Sequence, residues 1–396
     1  MAINHSQQTG ILPERGMPGE KKVAGMKRLF LIALSGILLW SGLPAVRAEG
    51  TAVPKVSAAS VVLMDGDTGR VLYEKESHVR RRIASTTKLM TALVALESGC
   101  SLEEVVSVAP EWAGVEGSSI YLHPGEEITL EALLYGLLLR SGNDAALTIA
   151  GHCGGTVEKF VARMNKKARE LGMKDTSFAN PNGLDAEGHY SSAWDMAILA
   201  RACLNNETLS QIAATKSITL GTRTFTNHNK LLWRYEGCVG LKTGYTQKAG
   251  RTLVSAARRE GVTLICVTLN APSDWADHTA LFDWGFQNYQ ARRLAQTGEQ
   301  VGCLLVSGGL LPSCPIQTGG TCTAALAPGE KVEVGCELTQ TALTAPVPVG
   351  KTVGELVYYT GTEELARIPL ITGKYIPCAL AEPSGWLKGL LEGLGS

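Results

Sequence analysis

The sequence predicts an α+β fold: a mainly antiparallel sheet carrying a helical subdomain, followed by a small all-β domain. Three observations lead there. A short hairpin opens the folded part, several apolar helical segments follow, and a second hairpin closes it. The leucine-rich stretch Thr129–Leu139 is too long and too uniformly apolar for anything but a largely buried helix. Beyond Asn288–Arg293 the composition changes to short strand-like runs punctuated by Gly and Pro.

In chain order, Ala59–Met64 and Arg70–Glu74 read as strands around Asp65-Gly66-Asp67-Thr68-Gly69, a turn with glycine-bearing chemistry. Ile83–Glu97 follows as a helix, because Leu89, Ala92, Leu93 and Leu96 recur on one face. Thr129–Leu139 stops at the turn-like Ser141-Gly142-Asn143, and Asp144–Ala150 begins another apolar segment. Thr156–Leu171 is amphipathic, Asn180-Pro181-Asn182-Gly183 is a turn, and Ser192–Leu204 is a helix capped by Ser191 or Ser192. Val239–Lys242 opens a β region. Thr252–Ala257 and Val262–Leu269 pair about Glu260-Gly261, and Gln300–Val306, Lys331–Leu338 and Thr352–Tyr359 are strands of the last domain, read as a sandwich.

The 396 residues allow two domains and a sizeable core. Formal net charge is zero, which gives no electrostatic footprint for nucleic acid. Four cations, Lys21, Lys22, Lys27 and Arg28, precede the uncharged, mostly apolar stretch Leu29–Leu43, and Ala45-Val46-Arg47-Ala48 offers small residues for cleavage. This resembles a secretory signal peptide over residues 1–48, cut after Ala48, with Met17 or Met26 as alternative starts. A folded catalytic part is then expected over 49–290 and a β-domain over 291–380. Residues 381–396 contain Trp386, Leu387, Leu390, Leu391 and Leu394 beside Lys388 and Glu392, a pattern that suits either an amphipathic membrane-surface helix or a frayed tail.

Ten cysteines in an exported chain permit disulfides. Cys100, Cys153, Cys203, Cys238 and Cys266 sit in apolar surroundings and read as small core residues, whereas Cys303, Cys314, Cys322 and Cys336 are the better disulfide candidates. No Cys/His spacing of the zinc-site kind occurs, so no metal or other cofactor is expected. His189 reads as structural or exposed, His228 as a weak candidate for a substrate contact, and His278, beside Asp274 and Asp277, as part of a solvated turn.

The chemistry rests on three short motifs in order: Ser85-Thr86-Thr87-Lys88, Ser141-Gly142-Asn143 and Lys242-Thr243-Gly244. Each alone is weak. Together they closely resemble a triplet of serine acyl transfer whose middle motif is Ser-Asp-Asn where this chain has Ser141-Gly142-Asn143. A spacing of three puts Ser85 and Lys88 on one side of a helix, so that an amine can take a proton from a hydroxyl. Lys88 does this only when neutral, and burial with a second cation, Lys242, would lower its pKa. Ser141 is the candidate relay to the leaving amine, and Asn143 the group that holds Lys88 and a substrate amide. Lys242 and Thr243 are candidates to bind a substrate carboxylate. Gly244 lets a peptide lie close to the strand, and the backbone N–H groups of Ser85 and Tyr245 are the candidate oxyanion hole.

With ASTTKLMTAL at 84–93, SGNDAA at 141–146, NPNGLDAEGHYSSAWDMA at 180–197, NHNKLL at 227–232 and GLKTGYTQKAG at 240–250, the chain resembles the low-molecular-weight penicillin-binding proteins that are serine D-Ala-D-Ala carboxypeptidases. The resemblance covers roughly 55–290. It implies a β-lactamase/transpeptidase-like catalytic fold and removal of the terminal D-alanine from peptidoglycan stem peptides outside the cytoplasmic membrane. It also implies covalent inhibition by β-lactams, with Ser85 acylated, Lys88 as base, Ser141 and Asn143 completing the centre and Lys242 binding substrate. Ser192 stands where many members have threonine. The alternatives are a β-lactamase, against which Arg201 occupies the glutamate position of an E-x-x-L-N pattern, and a non-catalytic muropeptide or β-lactam binding module, which would not need Ser85, Lys88 and Lys242.

Overall fold

A computed structural model describes residues 52–379. The signal-peptide stretch and the amphipathic tail proposed for 381–396 lie outside these residues. Among the described residues no helix is long and apolar enough to cross a membrane.

The N-terminal part is organised by a five-stranded sheet ordered Val71–Lys75, Ser60–Asp65, Val262–Leu269, Gly250–Arg259, Cys238–Thr246, with every neighbouring pair antiparallel. The two expected hairpins are therefore halves of one sheet, joined where Val62 pairs with Val267. Ser60–Asp65 and Val262–Leu269 are buried along their whole length. Residues of alternating parity on these strands enter two different cores, because successive side chains of a strand point to opposite faces. Val62, Met64, Ile265 and Val267 pack with the helical subdomain. Val61, Leu63, Leu264 and Cys266 pack under the helix Asp274–Asn288, around Leu281 and Phe282.

The helical subdomain holds Lys88–Leu96, Leu130–Leu139, Asn143–Gly154, Val157–Glu170 and Ala193–Asn205. Thr129, Thr156 and Ser192 each accept a backbone N–H three residues on, which fixes three of the helix starts. The first helix begins later than its periodicity suggests. Ala84–Thr87 forms a 3₁₀ turn, and regular helix starts at Lys88. Ala84 has φ +47°, which an α-helix cannot contain, and the Thr86 and Thr87 hydroxyls bond back to the Ile83 and Ala84 carbonyls.

The C-terminal part contains a six-stranded sheet and the two-stranded pair Gln290–Ala295 and Cys322–Leu326. The two share a core, with Ala295, Ala324 and Leu326 packing against Leu304, Ile316, Leu356 and Leu370. Ala325 also enters the core beneath the five-stranded sheet, and its N–H donates to Asp65 Oδ2 at 3.0 Å. Arg70 reaches Glu330 at 2.8 Å and Glu363 at 3.1 Å.

Two expectations are corrected. The cysteines are all free, including Cys303, Cys314, Cys322 and Cys336. Cys303 and Cys314 lie on paired strands, yet one is exposed and the other buried, so they face opposite sides of the sheet. Cys322 and Cys336 lie in different sheets. His278 is not in a solvated turn: it is fully buried in its helix, between the Ser255 and Thr268 hydroxyls at 2.5 and 2.9 Å.

Candidate active site

The site forms where the 3₁₀ turn carrying Ser85, the start of the Asn143–Gly154 helix, the 180–183 turn and the edge strand Cys238–Thr246 meet. The turn is pinned from outside. Thr252 Oγ1 donates to the Ile83 carbonyl at 3.1 Å, and His189 Nε2 lies 2.8 Å from Thr87 Oγ1. A Cβ at Gly183, where φ is +86°, would sit 2.1 Å from the Ala84 carbonyl oxygen, so only glycine admits this approach. His189 is accordingly structural. Its Nδ1 accepts the Ala179 N–H, and burial pushes its pKa down to about 4.

Lys88 is completely buried. Its Nζ lies 3.0 Å from Ser85 Oγ and donates to Asn143 Oδ1 at 2.7 Å and to the Asn182 carbonyl. Asn143 is oriented by its own amide N–H₂, which donates to the Glu116 carbonyl at 2.6 Å. Two of the three partners of Nζ only accept, and the third is a hydroxyl that can donate. A neutral amine, with two N–H bonds and one lone pair, satisfies this set. Burial first, then the Lys242 charge, push Lys88 well below the ordinary lysine range, against an opposing pull from Asp144. Asp144 is itself buried, accepting from Ser119 Oγ and from the N–H groups of Ile120, Leu122 and Ala145.

Lys242 is likewise buried; its Nζ donates to the Thr243 carbonyl at 2.8 Å, and burial lowers its pKa to about 7. Gly244 abuts the Ser85 turn. A Cβ there would lie 3.0 Å from the Ser85 nitrogen, 3.1 Å from the Thr86 nitrogen and 2.4 Å from Thr252 Oγ1. Thr243 is half-buried beside it, and the Tyr245 side chain is exposed. Ser141 is buried at φ +64° just before the Asn143 helix, and its hydroxyl makes no hydrogen bond among the described residues. His228 is exposed, its backbone N–H donates to the Leu139 carbonyl, and its imidazole is pushed down to about 4 by desolvation and then by the charges of Lys242 and Arg140.

The structure thus brings Ser85, Lys88, Asn143, Lys242 and Gly244 to one place, with Ser141 adjacent but unbonded. Asn182 was legible only as a turn residue, because its contribution is a backbone carbonyl that leaves no side-chain signature. Asp144 and Glu116 were likewise missed. Arg201 points away: its guanidinium donates to the Gly66 and Asp67 carbonyls at the sheet turn.

Comparisons with known proteins place the whole chain. The family model of D-alanyl-D-alanine carboxypeptidase matches residues 47–273. D-alanyl-D-alanine carboxypeptidase DacF of Bacillus subtilis is 36% identical over 87% of this chain and 93% of its own, and DacD of Escherichia coli 34% over 88% and 95%. Among solved structures, penicillin binding protein 5 of Haemophilus influenzae superposes with a TM-score of 0.70 at 29% identity, covering 83% of this chain and all of that one. PBP3 of Streptococcus pneumoniae does so at 0.72 and 26%, over 81% of this chain and all of its own. The chain belongs to the D-alanyl-D-alanine carboxypeptidase family of peptidases.

Proposed function

We propose that the protein removes the terminal D-alanine of peptidoglycan stem pentapeptides through an acyl-enzyme on Ser85. The observation that carries this is the hydrogen-bond set of Lys88: a buried amine whose two fixed acceptors, Asn143 Oδ1 and the Asn182 carbonyl, direct its lone pair at Ser85 Oγ. Lys242 attracts the substrate's terminal carboxylate, with the Thr243 hydroxyl beside it. Ser85 Oγ gives its proton to Lys88 and attacks the carbonyl carbon of the scissile bond. The Ser85 and Tyr245 N–H groups receive the developing oxyanion. The proton then passes from Lys88, through the Ser141 hydroxyl, to the departing D-alanine amine. Water, deprotonated by the same lysine, hydrolyses the ester and restores Ser85. A β-lactam mimics the substrate and stalls at the ester. The protein acts outside the cytoplasmic membrane, with residues 381–396 as its contact to the membrane surface.

Free D-alanine released from diacetyl-Lys-D-Ala-D-Ala tests the reading, with Ser85→Ala alongside. Release by the parent and none by the variant is expected. A folded parent that binds penicillin covalently yet releases no D-alanine would instead favour the binding-module alternative, and rapid turnover of penicillin the β-lactamase.

A further inference from the structure

We propose that Cys100, Glu104 and His152 form a binding site for a divalent transition-metal ion of the zinc type, with water as the fourth donor. Cys100 Sγ, a Glu104 carboxylate oxygen and a His152 ring nitrogen lie within 4.8 Å of one another. Two ligands on a tetrahedral zinc stand about 3.5 Å apart, so small side-chain rotations centre an ion among these three. His152 Nε2 is 3.1 Å from Glu104 Oε1, is buried, and yet makes no hydrogen bond there. An imidazole nitrogen held out of water beside a carboxylate and a thiol, with no proton partner, is what a ligand to an added cation looks like. A thiolate, a carboxylate and an imidazole form an N/O/S set suited to zinc, with water in the fourth position.

The donors come from two backbones that are already fixed. The Glu104 and Leu102 carbonyls accept from Leu130 and Glu131, and the Cys153 carbonyl accepts from Arg163. Neither segment has metal-ligand spacing of its own, which is why the sequence predicts no such site. Cys100 and Glu104 follow the helix Lys88–Leu96, and His152 and Cys153 lie in the last turn of Asn143–Gly154. An ion here clamps the far ends of the two helices whose first residues, Lys88 and Asn143, meet at the active site. On binding, the Cys100 thiol becomes a thiolate and its proton goes to solvent.

The test uses the purified full chain with its thiols reduced, titrated with Co²⁺ and then Zn²⁺. The expected result is one Co²⁺ per chain, with thiolate-to-cobalt charge transfer and the visible bands of tetrahedral cobalt, both abolished by stoichiometric Zn²⁺. Cys100→Ser and His152→Ala should each weaken Zn²⁺ binding by at least about 100-fold. Cys303→Ser, at a remote exposed thiol, should leave it unchanged. Glu104→Gln, at the most exposed ligand, keeps the comparison available if a core variant fails to fold. A natively folded parent without the cobalt spectrum, a spectrum indifferent to these ligand variants, or a Cys100–Cys153 disulfide recovered from the isolated protein would each overturn the proposal.

Discussion

Lys88 Nζ donates to Asn143 Oδ1 across 2.7 Å, joining residues 55 apart in sequence at the first turns of two different helices. The bond orients the amine, and Asn143 is in turn held by the Glu116 carbonyl. Asn143→Ala leaves a buried amine short of an acceptor, which costs about 1–3 kcal/mol. The melting temperature should fall, and acylation by a fluorescent penicillin should slow by about 100-fold or more, because the lone pair is no longer aimed at Ser85. An unchanged acylation rate in a folded variant would remove Asn143 from the site.

The pH dependence follows from two lysines with opposite requirements. Lys88 must be neutral to accept a proton, so kcat/KM for D-alanine release falls on the acid side as Lys88 is protonated. Lys242 must be charged to attract a carboxylate, so kcat/KM falls on the basic side as pH rises through its lowered pKa of about 7. The profile should be bell-shaped, its two limbs belonging to the pair. Lys242→Gln removes the cation that helps depress Lys88. The acid limb of penicillin acylation should therefore move to higher pH in that variant, besides a rise in KM. A limb that stays in place or moves down contradicts the coupling.

Gly244→Ala tests how tightly the strand is seated against the nucleophile's turn. The added methyl would meet Thr252 Oγ1 at 2.4 Å and the Ser85 nitrogen at 3.0 Å, forcing the edge strand and the turn apart. Acylation should drop by about 100-fold, since a displacement near 1 Å is enough for that. The strand remains paired to Gly250–Arg259 along its other edge, so the circular dichroism spectrum should be native.

Buried imidazoles tie stability to pH. His278 is held at about 3 and His189 at about 4, both chiefly by burial, against an ordinary value of 6.5. Their folded pKa values are depressed, so on acidification the unfolded chain takes up protons first. Stability is thus fully present above the unfolded value and lost as pH falls from about 6.5 toward 4 and then 3. The urea midpoint should decline across that window, and His278→Asn should show a shallower decline because its site no longer titrates. An equal decline in parent and variant would place the dependence elsewhere.

The order hairpin, helices, hairpin, β-domain was legible because hydrophobic periodicity and turn residues are local signals. The Thr129–Leu139 leucines, the serine cap at 191 or 192 and the Glu260-Gly261 turn each carry their meaning within a few residues. The three motifs were legible for the same reason, since side-chain type at short spacing encodes their chemistry. By itself, the sequence determined which side chains are the candidates for the chemistry, in which order they occur, and that the fold is a sheet with a helical subdomain.

Only the tertiary structure decided how those motifs meet. The positive φ at Ala84, the Asn182 carbonyl on Lys88, the approach of Gly183 to Ala84 and the burial of Lys242 all depend on contacts between segments far apart in the chain. The lowered lysine pKa values belong to that category too: desolvation and a neighbouring charge are properties of the folded surroundings, which no local pattern specifies. The same reason explains the two corrections. His278 was assigned to solvent from its acidic sequence neighbours, whereas Ser255 and Thr268, brought in by the sheet, bury it. The pairing of cysteines was sought by proximity in sequence, whereas the face of the sheet on which each thiol lies decides which of them can meet.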